Sequence, residues 1–329
     1  MKKKLLKVLL CFCMVTVIMG GCSKGSEETF VREGQEVIGG IQEADASAIV
    51  GNIAEEEAGE SGPEEEIAVE DTEPAVELVE PSAEDFRYNY DAAIGGIVIT
   101  GYTGDAEAIL IPAEIDGDPV KQVSISNEHI VQVEFPDGIT EYSFIDCVSL
   151  TKIPDNITSI GYRAFSGCTG LTSVIIPDGI TSIGEEAFKD CKGLTEVIIP
   201  ESVTVIDVLA FWNCKSLTEI TIPSGVTEIS SGVFRQCSSL TRITIPDGVT
   251  EIGGLAFHEC SSLTEITIPD GVTEIKIGTF EYCTSLRNLT LPDSVSSVFV
   301  GAFKACDALT ITYQGQEYTY ANDPNEWWG

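Results

Sequence analysis

The stretch LTSVIIPDGITSIGEEAFKDCKG (residues 171–193) decides the fold, because close copies of it follow one another along the chain. The next copy starts at Leu194 and reads LTEVIIPESVTVIDVLAFWNCKS, and each of these copies is 23 residues long. A 21-residue copy starts at Leu150, and a more eroded one lies near Ile130. The remaining 23-residue copies start at Leu217, Leu240, Leu263 and Leu286. A fixed period that carries Leu, Ile, Pro, Phe and Cys predicts a repeat architecture.

Each copy has the pattern of a short strand, a turn and a compact apolar segment. Residues 220–222 alternate apolar and polar side chains, which is the period of a strand with one buried face. Pro223 lacks an N–H and ends the strand, and residues 233–236 are predicted to form one short helical turn with Phe234 buried. One copy cannot bury its apolar edge alone, whereas stacked copies form a continuous core. The sequence therefore predicts a right-handed repeat solenoid, mainly β with short helical turns, and with a parallel sheet on one face.

The composition excludes several classes of function. The chain has 329 residues, with 18 Lys+Arg against 53 Asp+Glu, and its formal net charge is −35. This charge divides into +4 over residues 1–21, −18 over 22–85 and −21 over 86–329. A surface this acidic repels phosphate backbones, so nucleic-acid binding is not expected. Since the chain has only two histidines, sites built on several histidines are not expected either, and no metal or cofactor is predicted.

The first 21 residues have the pattern of an export signal. A basic start precedes an apolar run from Leu5 to Met19, which is shorter than the ~20 residues that a membrane-spanning helix needs. Residues 19–22 (MGGC) resemble the lipobox of bacterial lipoproteins, although Met19 stands where leucine is usual. The resemblance implies that Cys22 is lipidated and becomes the first mature residue, and two acyl chains would anchor the protein stably. An ordinary secretory signal with a chance cysteine is the alternative.

Residues 22–85 are predicted to be an acidic disordered tether. Downstream of Cys22 this segment contains no tryptophan, tyrosine or cysteine, and it carries runs such as PEEE. Self-repelling charge and few large apolar residues predict disorder, and a flexible coil of ~60 residues spans roughly 45 Å. Weak calcium binding by the acidic runs is the less favoured alternative.

The repeat pattern resembles a known family. The consensus LTxIxIPxxVTxIGxxAFxxCxx resembles that of the BspA-like leucine-rich-repeat surface proteins of bacteria, and residues 309–320 (LTITYQGQEYTY) resemble the closing hairpin of that family. The resemblance implies an N-terminal cap unit over 86–129, leucine-rich repeats over 130–308, and a C-terminal cap hairpin and tail over 309–329. It also implies an exported adhesion or interaction protein, and it brings no shared catalytic residues.

Eight cysteines recur once per unit and are predicted to form a buried structural column. Stacked residues in register lie ~4.8 Å apart, so their Cα distance would permit a disulfide, but parallel Cβ vectors keep the Cβ atoms beyond the usual ~3.8 Å. Free thiols that behave as small apolar side chains are therefore preferred. Zinc is disfavoured because no unit has the C-x₂-C spacing or a histidine pair. The column consists of Cys147, Cys168, Cys191, Cys214, Cys237, Cys260, Cys283 and Cys306.

No arrangement of residues predicts catalysis. A Ser/His/Asp site would need His129 or His258, and His258 occupies the unit position of Lys189 and Arg235, which predicts that it is a surface variant. Carboxylates are abundant but fall at repeat positions, so a glycan-active enzyme is only a weak alternative. The aspartates after the strand-ending prolines are interpreted as turn residues rather than as a calcium-binding edge: Asp178, Asp247, Asp270 and Asp293.

The predicted binding surface lies just after the phenylalanine of each unit. The next position is expected to be exposed, and the position three residues further on shares its face. Five residues of neighbouring units should therefore cluster: Lys189, Lys192, Trp212, Lys215 and Arg235. A tryptophan among cations suits carbohydrate stacking or anionic groups on a partner. Charge scattered over a variable, solvated edge is the alternative.

Two smaller surface features are also predicted. Ile175 and Ile198 occupy outward strand positions and should form an exposed apolar spot, while Trp327 and Trp328 are assigned to an end cap.

The predicted function is non-catalytic recognition or adhesion. The partner would be a host or neighbouring-cell macromolecule, either protein or glycan, and the membrane would be contacted only through the lipid anchor. The predicted location is extracytoplasmic, anchored to the bacterial cell membrane and exposed at the cell surface. The alternatives are a wall-associated structural scaffold without a specific ligand and, more weakly, a glycan-active β-solenoid enzyme.

Overall fold

The computed structural model describes residues 77–139 and 141–322, which form a mainly β solenoid of the predicted units. The predicted signal, Cys22, most of the tether, Trp327 and Trp328 lie outside the described residues. The described residues include two 3₁₀ helices, Ala83–Asp85 and Tyr320–Asn322, and no helix among them has the length and hydropathy needed to cross a bilayer. The strands are β1 (Phe86–Asp91), β2 (Gly96–Tyr102), β3 (Ala108–Leu110), β4 (Glu114–Ile115), β5 (Asp118–Ile125), β6 (Gln132–Glu134), β7 (Glu141–Phe144), β8 (Ser173–Ile175), β9 (Ser182–Ile183), β10 (Glu196–Ile198), β11 (Val205–Ile206), β12 (Glu219–Thr221), β13 (Glu228–Ile229), β14 (Arg242–Thr244), β15 (Glu251–Ile252), β16 (Glu274–Ile275), β17 (Asn288–Thr290), β18 (Ser297–Val298), β19 (Thr310–Tyr313) and β20 (Gln316–Thr319).

The three-residue strands of the units form the predicted parallel sheet. Strands β8 and β10 pair in register, so that Val174 lies beside Val197. Both valines are buried, whereas the residues on either side of them are exposed. Strand β12 pairs with β14, and β17 with β19, in the same parallel manner. The alternation in the sequence is thus confirmed as the signature of a strand with one buried face.

A second ladder of two-residue strands lies beyond the proline turn, and the sequence interpretation did not include it. Strand β9 pairs with β11, β13 with β15, and β16 with β18, all in parallel. In the middle pair Ile229 lies opposite Ile252, and both are buried, while Glu228 and Glu251 are exposed. Two residues are too few to give a periodic signal in the sequence.

The segment around each phenylalanine consists of tight turns rather than a continuous helix. Its N–H groups alternate between two kinds of acceptor. The Ala187 N–H donates to the Gly184 carbonyl of its own unit at 3.2 Å, whereas the Phe188 N–H donates to the Ala210 carbonyl of the next unit at 2.8 Å. Residues in the left-handed region, such as Leu255 with φ 60°, interrupt the helix. The predicted helical turn therefore also contributes hydrogen bonds from unit to unit.

Phenylalanine rings and cysteine thiols form two parallel columns in the core. Neighbouring rings from Phe165 to Phe303 are stacked, with centroids 5.4–5.9 Å apart. The cysteines of the predicted column are buried free thiols, as expected. The Cys237 thiol donates to the Phe211 carbonyl at 3.2 Å, and the corresponding contact is made in adjacent units. A backbone carbonyl oxygen can accept two hydrogen bonds. The thiols thus supply a second hydrogen bond to the buried carbonyls of the phenylalanines.

Antiparallel strands flank the solenoid at both ends. At the N-terminal end β1 pairs with β2, and β2 connects through β5 to β7 in parallel. Val79 forms a bridge with Ile109, so contacts with this cap begin upstream of the predicted boundary at residue 86. At the C-terminal end β19 and β20 form the expected hairpin. Its turn residues Gln314 and Gly315 both have positive φ, as a type I′ turn requires.

Candidate functional site

The side chains that directly follow the phenylalanines run along one ridge of the solenoid, and we call them the ridge column. The prediction that this column is exposed is wrong for Ser166, His258 and Glu281, which are only 7–8% exposed. His258 is therefore not a surface variant. The reason is that ridge side chains of successive units contact one another and shield each other from water. The ridge column consists of Ser166, Lys189, Trp212, Arg235, His258, Glu281 and Lys304.

Trp212 is enclosed between two cations of its own chain. The Lys189 ammonium lies 4.2 Å from the ring centroid, and the Arg235 guanidinium carbon lies 5.5 Å from it. Because these residues belong to the units before and after Trp212, they approach the ring from opposite sides. The indole N–H donates to Gln236 Oε1 at 2.9 Å. The ring is thus held by cation–π contacts on its faces, and its faces are less accessible to a ligand than the sequence alone indicated.

The ridge also contains a buried ion cluster that the sequence analysis missed. One carboxylate oxygen of Glu186 lies 2.6 Å from Arg163 Nε and 3.2 Å from Lys189 Nζ, and the Glu186 side chain is 11% exposed. The hydrogen bond to Glu186 raises the pKa of Arg163. Lys189 therefore has two internal roles, since it pairs with this carboxylate and covers Trp212.

Further along the ridge His258 lies among charged groups. Its Nδ1 is 3.4 Å from Glu259 Oε1, and its Nε2 is 3.5 Å from Glu281 Oε2. Glu281 in turn lies 2.8 Å from Lys304 Nζ. Burial, followed by the positive charge of Arg235, lowers the pKa of His258 despite the two carboxylates. The imidazole ring also packs edge to face against the Tyr282 ring, with the two ring centroids 5.8 Å apart.

The five residues predicted to cluster divide into two groups. Lys189, Trp212 and Arg235 form the stack described above, which holds the ridge together. Lys192 and Lys215 occupy the neighbouring column and extend into solvent. The Lys192 side chain is 52% exposed, and its Nζ lies 3.7 Å from Asp190 Oδ1. These two lysines therefore provide the accessible positive charge of the predicted site.

The column of Lys192 and Lys215 continues into a shallow depression that is open to solvent, which we call the groove. The Ser261 hydroxyl donates to the Ser238 carbonyl at 3.3 Å, and the Thr284 hydroxyl to the Ser261 carbonyl at 3.4 Å, which leaves both oxygens able to accept hydrogen bonds. The sequence analysis did not identify this groove, although its hydroxyl residues recur at the 23-residue period. The groove is lined by Ser238, Glu259, Ser261, Tyr282 and Thr284.

Other predicted surface features are present outside the ridge. Ile175 and Ile198 lie side by side in paired strands and are 65% and 50% exposed, which confirms the apolar spot. At a proline turn, Glu201 accepts hydrogen bonds from the Ser224 N–H and hydroxyl at 3.1 and 2.7 Å. Within residues 77–139 and 141–322, no group of three or more His, Cys, Asp or Glu side chains is arranged to hold a metal ion.

Comparison with known proteins gives a family match over the repeats. Residues 137–263 and 206–323 match the BspA type leucine rich repeat region in six copies. A solved leucine rich repeat protein of T. pallidum is 31% identical, and the alignment covers 70% of this chain and 91% of that chain with a TM-score of 0.44. A leucine rich cell surface protein of Faecalibacterium prausnitzii is 25% identical over 72% of this chain and 95% of that chain, with a TM-score of 0.38. No curated protein sequence gives a significant match.

Proposed function

We propose, from the premise that this chain belongs to the BspA-type leucine-rich repeat family, that it is a non-catalytic recognition protein displayed at the bacterial cell surface. Its solenoid would present a fixed array of side chains to a macromolecule that carries anionic groups. The family provides the scaffold, and the ridge provides the candidate contact surface. A stacked repeat array suits this role because each unit adds the same exposed positions at a constant spacing.

The observation that carries the proposal is the pair of exposed lysines beside a rigid stack. Lys192 and Lys215 belong to successive units and extend from a ridge that is fixed by the contacts of Trp212 with Lys189 and Arg235. Residues 86–329 carry a net charge of −21, so acidic groups outnumber basic groups over this part of the chain. A local positive patch on an acidic protein orients an anionic partner, because other parts of the surface repel it.

The same proposal includes a lipid anchor and a tether. The apolar run before Cys22 supports export, and the acidic composition of residues 23–76 supports a spacer that holds the solenoid away from the membrane. We expect Cys22→Ser to abolish the incorporation of labelled fatty acid into the protein. If the variant incorporated as much label as the wild type, lipidation at Cys22 would be refuted.

Binding to immobilised acidic glycans and acidic extracellular proteins at ~0.15 M salt tests the recognition function. We expect the full-length protein, solubilised in detergent, to bind at least one of them, and we expect Lys192→Gln/Lys215→Gln to lose that binding. The matched control is Lys121→Gln/Lys152→Gln, which removes the same charge from exposed positions away from the ridge. Equal loss in the control would show a nonspecific charge effect. Absence of any binding would favour the structural scaffold.

A further inference from the structure

We infer that the partner of this surface is an acidic glycan whose neutral sugar units occupy the groove beside Tyr282. The inference rests on the proposed recognition function, and it selects the chemical class of the ligand. It adds Tyr282 and Glu259 to the lysines as contact residues.

The lysines and the groove form one continuous line across the units. The Ser239 N–H donates to the Lys215 carbonyl at 3.1 Å, and the Ser285 N–H to the Ser261 carbonyl at 3.2 Å. Such hydrogen bonds set a step of ~4.8 Å between successive units. Four steps separate Lys192 from Thr284, so the line is about 19 Å long. An extended polymer could therefore place anionic groups at the lysines and uncharged groups in the groove.

The aromatic ring of Tyr282 is accessible to a ligand, whereas that of Trp212 is covered. Tyr282 is 41% exposed, with the His258 ring edge to face at 5.8 Å and Lys304 Nζ at 5.8 Å from its centroid. The unit that follows has the short Ala305 at the equivalent position, so its cover of the phenol ring is limited to the Lys304 ammonium, and the ring remains 41% exposed. An exposed aromatic ring that is supported from behind can pack against the C–H face of a sugar.

Glu259 gives the groove an acceptor that favours sugar hydroxyls over acidic side chains. Its Oε2 accepts from Gln236 Nε2 at 3.1 Å, and Gln236 accepts from the Trp212 indole at 2.9 Å. The covered tryptophan thus positions the carboxylate, whose side chain is still 43% exposed. A carboxylate accepts strong hydrogen bonds from hydroxyl groups, whereas it repels another carboxylate. An acidic peptide would therefore be disfavoured in this groove.

Calorimetric titration of the full-length protein in detergent with a hyaluronan and an unsulfated chondroitin oligosaccharide tests the inference, because both polymers alternate acidic and neutral sugar units. A polyglutamate peptide is the acidic probe that is not a glycan. We expect at least one oligosaccharide to bind, and Tyr282→Ala to weaken it about tenfold, since an aromatic contact and its buried area are removed. Tyr282→Phe keeps the ring and should bind normally. Tyr90→Ala removes another exposed tyrosine, 54% exposed in the cap, and should have no effect.

The outcomes separate this inference from the proposed function. If Lys192→Gln/Lys215→Gln abolishes binding while Tyr282→Ala and Glu259→Gln leave it unchanged, the groove assignment is overturned and the recognition function stands. Binding of polyglutamate in place of both oligosaccharides also overturns the glycan assignment. If no probe binds, the glycan assignment fails as well. Far-UV circular dichroism of each variant establishes that a loss of binding does not come from unfolding.

Discussion

Replacing Cys237 with alanine should destabilise the protein at neutral pH but hardly at all at pH 10. Burial raises the pKa of the Cys237 thiol from its ordinary value of 9.0 to about 12. A group whose pKa is raised in the folded state contributes stability below its unfolded pKa and loses that contribution as the pH rises through its folded pKa. The wild type should therefore lose stability from about pH 9 upward. The alanine variant has no thiol at residue 237 to ionise, so it should lose less.

The magnitude follows from two opposing contributions. At pH 7 the thiol is protonated in both states, so Cys237→Ala costs about 1–1.5 kcal/mol through the lost sulfur and its hydrogen bond to the Phe211 carbonyl at 3.2 Å. At pH 10 the unfolded thiol is about 90% ionised and the folded one is protonated, which costs the wild type about 1 kcal/mol. The two contributions nearly cancel at pH 10. Burial raises the pKa of other thiols in the column in the same way, so the whole solenoid should be sensitive to alkali.

Urea unfolding of the full-length wild type and Cys237→Ala, followed by circular dichroism under reducing conditions at pH 7, 8.5 and 10, measures this difference. We expect the difference in unfolding free energy to fall by about 1 kcal/mol between pH 7 and pH 10. Phe234→Leu is the control, because the replacement does not titrate and its effect should not change with pH. A Cys237→Ala difference that stays constant over this range would refute the titration of a buried, protonated thiol.

Two further predictions concern the core and the ridge. Phe234→Leu should lower the unfolding free energy by about 1–3 kcal/mol, because Phe234 stacks on the rings of both neighbouring units at 5.8 and 5.9 Å; a loss below about 0.5 kcal/mol in urea unfolding would contradict this. Arg163→Gln/Lys189→Gln should lower stability by about 2 kcal/mol or more, because Glu186 is left buried without a cation. Adding Glu186→Gln should recover much of that loss, and no recovery would contradict the charge argument.

The repeat core could be predicted because one set of contacts recurs in every unit. The phenylalanine column, the thiol column and the buried strand positions all appear in the sequence at the same period, and each was found where it was expected. The hairpin of β19 and β20 was expected from the resemblance of residues 309–320 to the closing hairpin of the family, and the structure has it at that place. The residue pattern of one unit is sufficient to predict the fold where every unit makes the same contacts.

The second ladder of two-residue strands and the tight turns around each phenylalanine could not be predicted from the residue pattern of a single unit. Left-handed φ values are found at Leu255 and Gln236, which are residue types that give no local signal for this conformation. They are maintained by hydrogen bonds to the next unit, such as that from the Gln236 N–H to the His258 carbonyl at 2.7 Å. The information thus lies in the contact between units and not in any single unit.

By itself the sequence determined the period, the buried columns and the residue types available on the ridge. Only the tertiary structure decided which ridge side chains remain accessible. Residues 23 positions apart come into contact when units stack, so Lys189 and Arg235 both cover Trp212. Tyr282 has one such cation, Lys304, and the short Ala305 beside it leaves the ring 41% exposed. Accessibility depends on the size and charge of the neighbours in adjacent units, and that dependence exists only after the chain has folded.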